Sequence, residues 1–281
     1  MLKIPPKVAV INDLSCFGRC ALTVMIPTLS AMGIQVVPFP TALLSTHTGG
    51  FDDLFFKDLS DEMDEISDHF KRLDLKFDGI YTGFLGNEAQ IKKVSSFIDD
   101  FKRGSMPVLV DPVMGDDGSL YSTYTKELLE GVKTLVTKAD IITPNYTEAC
   151  FLTNTPYKNT ADLSDGEVAT VADGLIEKLK RTGAEKIVIT GFQSKRSVLT
   201  FGSDRGDGFV NSTKKVDGCY PGTGDIFASV LLGNTILGES FKDATDKACE
   251  FTADVIAYTL NFDTPHRDGV MLEPNLHKLL S

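Results

Sequence analysis

A glycine-rich turn followed by an acidic residue carries the clearest chemistry in the sequence. Gly222-Thr223-Gly224-Asp225 leads straight into an apolar run, which predicts a tight loop entering a buried helix. The first N–H groups of such a helix point outward and, with the helix dipole, form an anion site. A carboxylate there would repel the anion unless it had another task. Two interpretations of Asp225 stay open: a catalytic base beside a phosphate site, or a helix cap.

The composition is that of a globular protein with an acidic surface. The chain has 281 residues, 42% of them apolar, and a net charge of −11, which disfavours nucleic acid and anionic membranes as partners. A phosphate-rich ligand then needs local help from backbone amides, a metal ion or a few cations. The first residues lack the pattern of a signal peptide, and the five cysteines lack CxxC or His-paired spacing. We therefore expect a reduced, cytoplasmic protein without structural zinc.

Short apolar runs alternate with helical patterns along the whole chain. We predict a loop over residues 41–51 and an antiparallel pair of edge strands at 196–201 and 208–214. The alternation predicts a mostly parallel sheet with helices on both faces. Because no repeat or Pro/Gly/Ser-rich linker interrupts it, we predict one domain, residues 1–281. The parallel strands are predicted at residues 8–11, 35–39, 79–82, 107–111, 140–143 and 186–190.

Ligands of such a sheet bind beyond the carboxyl ends of its strands. Asp116, Asn145 and Glu148 can converge at this edge, and carboxylates with a carboxamide, water and substrate phosphates are ligands that Mg²⁺ prefers. Asn145 and Glu148 fit a helix capping box equally well, and Asp116 fits a turn. The other polar or loop residues at these strand ends are Asn12, Asp13, Thr82, Phe84, Asp111, Val113, Thr143, Thr190 and Gly191.

Several further residues have two interpretations each. Asp111, Thr143 and Thr190 end three strands, and their oxygens either bind a monovalent cation or satisfy backbone groups. His47 lies in a polar loop, where it contacts a ligand or is simply hydrogen-bonded. Tyr121 either lies over the site within residues 116–124 or is a surface aromatic.

Phosphoryl transfer to a hydroxyl explains this combination of groups. A metal–carboxylate site and an anion loop neutralise phosphate charge, and a lone aspartate accepts the proton of the alcohol. The sequence has no Gly-x-x-x-x-Gly-Lys-Ser/Thr motif and no His-Arg-Asp triplet, which excludes a P-loop enzyme and a protein kinase.

Three motifs resemble the ribokinase superfamily: Gly-Thr-Gly-Asp at 222–225, Asp-Pro-Val-Met-Gly-Asp at 111–116 and Thr-Pro-Asn-Tyr-Thr-Glu at 143–148. From Val8 to about Leu260 the chain is more similar to the pyridoxal/pyridoxamine kinase branch, whose Ser-Asn-His-Thr-Gly loop resembles Ser-Thr-His-Thr-Gly at 45–49. The resemblance implies a ribokinase-like three-layer α/β/α sandwich with a mostly parallel central sheet and antiparallel edge strands. It also implies a homodimer that uses ATP, Mg²⁺ and a monovalent cation such as K⁺ to phosphorylate the 5′-hydroxymethyl group of a B6 vitamer. The alternative is a hydroxymethylpyrimidine kinase or another small-alcohol kinase of the same fold.

The resemblance implies a role for each matching position. Asp225 would be the base, with the amides of Gly222, Thr223 and Gly224 as the anion hole. Asp116 and Glu148 would organise Mg²⁺, directly or through water, and Asp111, Thr143 and Thr190 would lie near the monovalent cation. Asn145 and Gly191 would lie beside the nucleotide, whose adenine would pack near Val216, Asp217 and Tyr220. Asn12 or Asp13, His47, Thr48, Phe84 and Val113 would contact the vitamer, and Tyr121 would belong to a flexible lid.

Two departures affect the substrate pocket. Phe84 stands where many members carry tyrosine, so a phenol hydrogen bond is absent. The first strand ends in Asn12-Asp13 where many pyridoxal kinases have Ser-His. An acidic group there favours a cationic amine, which pyridoxamine has and pyridoxal lacks, and the related hydroxymethylpyrimidine kinases also carry an aspartate in this loop. The vitamer preference therefore stays open.

Overall fold

A nine-stranded sheet is the central layer of the computed structural model, which describes residues 4–195, 197–214 and 220–280. The strand order is β11-β10-β9-β8-β5-β4-β1-β2-β3, and β6 with β7 forms a separate small hairpin. The strands are β1 (Lys7–Phe17), β2 (Gln35–Thr46), β3 (Phe56–Asp58), β4 (Gly79–Thr82), β5 (Val108–Val110), β6 (Gly115–Asp116), β7 (Ser119–Leu120), β8 (Ile141–Ile142), β9 (Lys186–Gln193), β10 (Ser197–Asp204) and β11 (Asp207–Lys214).

The centre of the sheet is parallel and its margins are antiparallel. Strands β2, β1, β4, β5, β8 and β9 pair in parallel, whereas β3 pairs antiparallel with β2, and β10 with both β9 and β11. This arrangement confirms the predicted mostly parallel sheet and the predicted pair of antiparallel edge strands.

Helices cover both faces, which confirms the predicted three-layer architecture. Successive residues of β1 divide between the two cores: Ala9 and Ile11 pack under α2–α6, and Val8 and Val10 pack under α1, α7 and α8. Strands buried on both faces read as continuous apolar runs for this reason. Within the described residues no helix is long and apolar enough to cross a membrane. The helices are α1 (Leu22–Ala31), α2 (Ser60–Arg72), α3 (Glu88–Phe101), α4 (Lys126–Val136), α5 (Tyr146–Leu152), α6 (Asp165–Leu179), α7 (Thr223–Ile236) and α8 (Phe241–Thr259).

Strand β2 is longer than the sequence pattern predicts. It continues to Thr46 through Pro38 and Pro40, so the predicted loop over residues 41–51 begins only after residue 46. The prolines are tolerated because Pro38 and Pro40 have a paired neighbour only on the β1 side, since β3 pairs with residues 42–44 alone. The loop that contains His47 therefore begins directly at the end of β2.

The C-terminal segment, defined here as residues 265–273, packs back against the start of α1. It includes a short 3-10 turn, His266–Asp268. The carbonyl oxygen of Asp268 accepts a hydrogen bond from the Arg19 N–H at 3.1 Å, and Glu273 pairs with the Arg19 guanidinium at 2.9 Å. The end of the chain thus lies beside the carboxyl end of β1, where the sequence places the candidate site.

Candidate active site

The crevice at the carboxyl end of β4, beside Asn12 of β1, is where the sheet order reverses. β1 continues into β2 on one side, while β4 lies on its other side, and such switch points bind ligands. Asn12 closes the crevice: its Oδ1 accepts hydrogen bonds from the N–H of Asp13 at 2.9 Å and of Phe84 at 3.1 Å. A methyl group at Gly83 would lie 2.5 Å from Asn12 Nδ2, so a glycine is needed there.

The Asp225 carboxylate sits over this crevice in the first turn of α7. Its Oδ1 accepts from Asn12 Nδ2 at 3.2 Å and its Oδ2 from the backbone N–H of Ala21 at 2.8 Å. Burial raises the pKa of Asp225 to about 7, and the charge of Asp13 adds to the rise, whereas the two hydrogen bonds oppose it. A carboxylate with a pKa near neutrality is suited to accept a proton.

Gly222, and not Asp225, is the N-cap of α7. Its φ is 80°, and it offers no side chain to the first helical N–H groups. A methyl group at Gly222 would collide with the Arg19 carbonyl oxygen, so the close approach of the two backbones requires glycine. Thr223 turns its hydroxyl to the Tyr220 carbonyl oxygen at 2.9 Å. The capping interpretation of Asp225 is therefore wrong, and the uncapped helix start has the form of an anion site.

Asn145 and Glu148 form the capping box that was one of their two sequence interpretations. Asn145 Oδ1 accepts from the Glu148 N–H at 2.9 Å, and Glu148 Oε2 accepts from the Asn145 N–H at 2.8 Å. Glu148 Oε1 accepts from the Met114 N–H at 3.0 Å. Burial raises the pKa of this carboxyl to about 8 despite these hydrogen bonds. A buried acid that resists ionisation near neutral pH is stabilised in its charged form by a cation.

Asp111 lies between Glu148 and the anion loop. Burial and the charges of Glu148 and Asp225 raise its pKa well above the usual range, and the nearby Thr143 partly offsets the rise. A methyl group at Gly224 would lie 4.0 Å from Asp111 Oδ2. The result is a group of neighbouring carboxyl and hydroxyl oxygens, which suits a hard cation.

No group of three or more His, Cys, Asp or Glu side chains converges as a metal site in the part of the chain that the structure describes. Asp116 is exposed on the β6–β7 hairpin. That hairpin is held over α5 because the Gly115 carbonyl oxygen accepts from Asn145 Nδ2 at 2.8 Å.

The remaining rim residues lie along the same edge. Thr190 bridges to Asn145 as an isolated parallel pair, and Gly191 follows with a φ of 81°. Val113 is half-buried, and Tyr121 is an exposed aromatic just after β7. The segment 116–124, expected from the resemblance to be a flexible lid, contains the last residue of β6 and all of β7. Tyr220 is buried and stacks on His266 with 4.5 Å between ring centroids, whereas Val216 and Asp217 lie outside the described residues.

His47 is buried and uses both ring nitrogens within the protein. Nδ1 accepts from the Gly49 N–H at 3.1 Å, and Nε2 lies 2.6 Å from the Arg267 carbonyl oxygen. A carbonyl only accepts, so Nε2 carries the hydrogen and the ring is in its Nε2–H form. Thr48 beside it is exposed. A ligand can therefore meet His47 only through the ring carbons, not through a free ring nitrogen.

Asp13 is a buried carboxylate next to Asn12 within β1, with Oδ2 accepting from the Ser15 hydroxyl at 2.8 Å. Burial raises its pKa, and the hydrogen bond from Ser15 partly offsets the rise. Phe84 is half-buried at the far side of the crevice. The structure thus brings Asn12, Asp13, Phe84 and Asp225 together around one opening.

Sequence reasoning missed Ala21, Arg19, His266 and Arg267. Ala21 and Arg19 act here mainly through backbone groups, which every non-proline residue has, so their side chains carry no signal. His266 and Arg267 come from a part of the chain that has no catalytic motif. Only the fold places them beside the motifs at 45–49 and 222–225.

Comparison with known proteins gives the family. The family model for phosphomethylpyrimidine kinase matches residues 22–269. The chain belongs to this kinase family. A pyridoxal kinase of Dictyostelium discoideum is 26% identical over 91% of this chain and 86% of its own length.

Solved structures of this kinase family share the whole fold. The pyridoxal kinase of Lactobacillus plantarum has a TM-score of 0.88 and 30% identity, with 98% of this chain and 96% of that chain covered. A Bacteroides thetaiotaomicron protein, provisionally named a phosphomethylpyrimidine kinase and crystallised with pyridoxal, has a TM-score of 0.91 and 39% identity. That match covers 99% of this chain and 96% of the other.

Proposed function

We propose that this protein transfers the γ-phosphoryl group of ATP to the 5′-hydroxymethyl group of a B6 vitamer: pyridoxal, pyridoxine or pyridoxamine. The products are the vitamer 5′-phosphate and ADP, as in vitamin B6 salvage. The observation that carries the proposal is the Asp225 carboxylate, held by Asn12 and Ala21 at an uncapped helix start with its pKa raised to about 7. The relatives named pyridoxal kinase supply the substrate class.

Asp225 accepts the proton of the vitamer hydroxyl as the oxygen attacks the γ-phosphorus and the bond to the β-phosphate oxygen breaks. The amides of Gly222, Thr223 and Gly224 donate to the oxygens that gain charge in the transition state. Because Asp225 is hydrogen-bonded on both oxygens to other elements, its carboxylate is oriented before substrate arrives.

The nucleotide lies along the opposite rim in this proposal. Asn145, Thr190 and Gly191 border its phosphates, and Tyr220, Val216 and Asp217 border the adenine. Asp116 and Glu148 would hold Mg²⁺, directly or through water, and the bound ion would supply charge neutralisation for the phosphates. Asp111 and Thr143 would lie next to a monovalent cation such as K⁺, and the raised pKa of the buried Asp111 carboxyl, beside Thr143, supports this assignment.

The vitamer occupies the crevice between β1 and β4. Its ring is surrounded by Asn12, Asp13, His47, Thr48, Phe84 and Val113, and Tyr121 lies above it. We also propose that the protein is a cytoplasmic homodimer. The resemblance to the pyridoxal kinase branch supports the dimer, and the unpaired state of the cysteines among the described residues supports a reducing compartment.

A hydroxymethylpyrimidine kinase is the second candidate. The matching family model is named for phosphomethylpyrimidine kinase, which acts on the same pyrimidine ring, and the buried Asp13 carboxylate suits an amino-substituted ring. Steady-state rates with the three B6 vitamers and with hydroxymethylpyrimidine distinguish the two. We expect the highest kcat/KM with a B6 vitamer, and a clear preference for hydroxymethylpyrimidine would overturn the proposed substrate.

A further inference from the structure

The C-terminal segment contacts both loops that border the candidate active site. On one side, the Arg19 backbone is held between this segment and the anion loop: its N–H donates to the Asp268 carbonyl oxygen at 3.1 Å, and its carbonyl lies against Gly222. A methyl group at Gly269 would lie 2.8 Å from the same carbonyl oxygen. Glycines on both sides thus let three backbones stack closely at this point.

On the other side, Arg267 makes three separate contacts with residues 45–51, here called the vitamer loop, which comprise the last two residues of β2 and the start of the loop that follows. Its carbonyl oxygen accepts from His47 Nε2 at 2.6 Å, and its Nη1 donates to the Gly50 carbonyl oxygen at 3.1 Å. Its guanidinium carbon lies 4.8 Å from the centroid of the Phe51 ring, within the range of a cation–π interaction. Arg267 therefore contacts the vitamer loop at three residues, His47, Gly50 and Phe51.

The tip of the vitamer loop is exposed, and the contacts that order the loop without Arg267 involve His47 and Phe51: Nδ1 of His47 accepts from the Gly49 N–H, and the Phe51 ring lies edge-on to His47 at 5.0 Å and to Phe17 at 6.0 Å. Thr48, Gly49 and Gly50 are all exposed, and Gly50 has a φ of 80°, so this stretch loses much conformational entropy when it is held in one shape. His47 packs against the backbone of Gly18, where a methyl group would lie 2.5 Å from His47 Cδ2. The anchor for the tip of the loop comes from Arg267.

We propose that Arg267 is a positioning residue for the vitamer: it holds the vitamer loop in its binding conformation from outside the substrate pocket. This inference rests on the proposed function, because it takes the vitamer loop to be the wall against which the B6 ring binds. The neighbouring His266 stacks on Tyr220, so the same turn also fixes the chain that enters the anion loop. Arg267 serves the vitamer side: within the described part of the chain its hydrogen bonds and its ring contact all go to the vitamer loop.

The test is Arg267→Ala, measured as separate KM values for vitamer and for ATP. Loss of one hydrogen bond and one cation–π contact is expected to raise the KM for pyridoxal about tenfold, with kcat and the KM for ATP nearly unchanged. Arg267→Lys keeps the charge over Phe51 and is expected to restore part of the affinity. An equal rise in both KM values, or no rise in either, would overturn the proposal.

Arg205→Ala is the matched control. Arg205 is an exposed arginine paired with Glu185 at 2.9 Å. It follows Asp204, whose backbone pairs with that of Lys186 at the amino end of β9. Arg205 therefore lies at the end of the sheet opposite to the carboxyl ends of the parallel strands, where the site is. Its replacement is expected to leave both KM values unchanged.

A second measurement tests the anchoring without any substrate. Amide hydrogen exchange of residues 45–51 in the ligand-free protein is expected to be faster in Arg267→Ala than in wild type, and unchanged in Arg205→Ala. Unchanged exchange in Arg267→Ala would refute the anchoring role even if the KM for pyridoxal rose as expected. If wild type phosphorylated no vitamer but the exchange result held, the proposed function would fail and the anchoring would stand.

Discussion

The Asp225 carboxylate accepts a hydrogen bond from the backbone N–H of Ala21 at 2.8 Å, although 204 positions separate the two residues. Ala21 directly precedes α1 and has a φ of 50°, a conformation that costs energy for a residue other than glycine. The strained turn aims its N–H at the carboxylate. The starts of α1 and α7 therefore meet at the base, and a backbone donor sets its orientation.

The stability of the ligand-free protein is expected to fall as pH rises through neutrality. The folded-state pKa values of Asp225 and Glu148 are raised to about 7 and about 8. At a pH between the unfolded-state and folded-state pKa values, the folded chain therefore binds more protons than the unfolded chain. By linkage, these two acids contribute fully to the free energy of unfolding below their unfolded-state pKa values, and this contribution is lost as pH rises through their folded-state pKa values.

Urea unfolding at about pH 6 and about pH 8.5 measures this slope. The lowered pKa values of Asp58 and Glu62 do not contribute in that window, because both groups are ionised in either state. Asp225→Asn removes one of the raised groups and should give a shallower slope. Stability that increases across the window in wild type would contradict the assignment of these buried acids.

Gly222→Ala is expected to destabilise the protein by more than about 2 kcal/mol. The new methyl group would collide with the Arg19 carbonyl oxygen, and the φ of 80° is itself unfavourable for alanine. Turnover should fall with stability because the anion loop would move away from the α1 start.

The control for Gly222→Ala is Gly174→Ala in the exposed interior of α6. No atom lies within 4 Å of a methyl group added there, so this variant should gain about 0.5–1 kcal/mol and keep full activity. Thermal and urea unfolding of the two variants give the comparison. Equal effects of the two substitutions would show that the close approach at Gly222 has no role.

Glu148→Gln separates capping from metal binding. A carboxamide has one acceptor oxygen where Glu148 uses two, so we expect a loss of about 1–2 kcal/mol. Loss of the charge should raise the half-saturating Mg²⁺ concentration about tenfold or more. Activity measured over a Mg²⁺ titration, with unfolding as a parallel measurement, tests both effects.

The second capping box of the chain provides the matched control. Glu167 accepts from the Ser164 N–H at 2.9 Å at the start of α6, on the protein surface. Glu167→Gln should cost about 1 kcal/mol or less and leave the Mg²⁺ requirement unchanged. If Glu148→Gln behaved in the same way, Glu148 would be a capping residue and nothing more.

Much of the fold was predictable from local patterns. The uninterrupted apolar run at Val8–Ile11 marks a strand buried on both faces, and the structure places its side chains in both cores. The end of β2 was not predictable, because Pro38 and Pro40 are tolerated only through pairings that the sequence does not reveal. Tertiary context decides there, as it often does for strands.

The parts of the candidate site that side chains form were predictable from the sequence, and the parts that backbone groups form were not. Asp225 and Asn12 come from recognisable strand and helix ends, and the structure joins them at 3.2 Å. The donor at Ala21 and the acceptor at Arg267 are backbone groups, for which residue type gives no signal. The roles assigned to the site residues stay predictions until they are measured.

Phosphoryl transfer from ATP to pyridoxal by wild type and by Asp225→Asn, measured side by side, tests the central claim most directly. Asparagine keeps an oxygen that accepts from Ala21 but cannot take the hydroxyl proton, so kcat should fall by about 10²–10⁴ while ATP binding and the unfolding temperature stay nearly unchanged. Turnover by Asp225→Asn at the wild-type rate would contradict the assignment of Asp225 as the base.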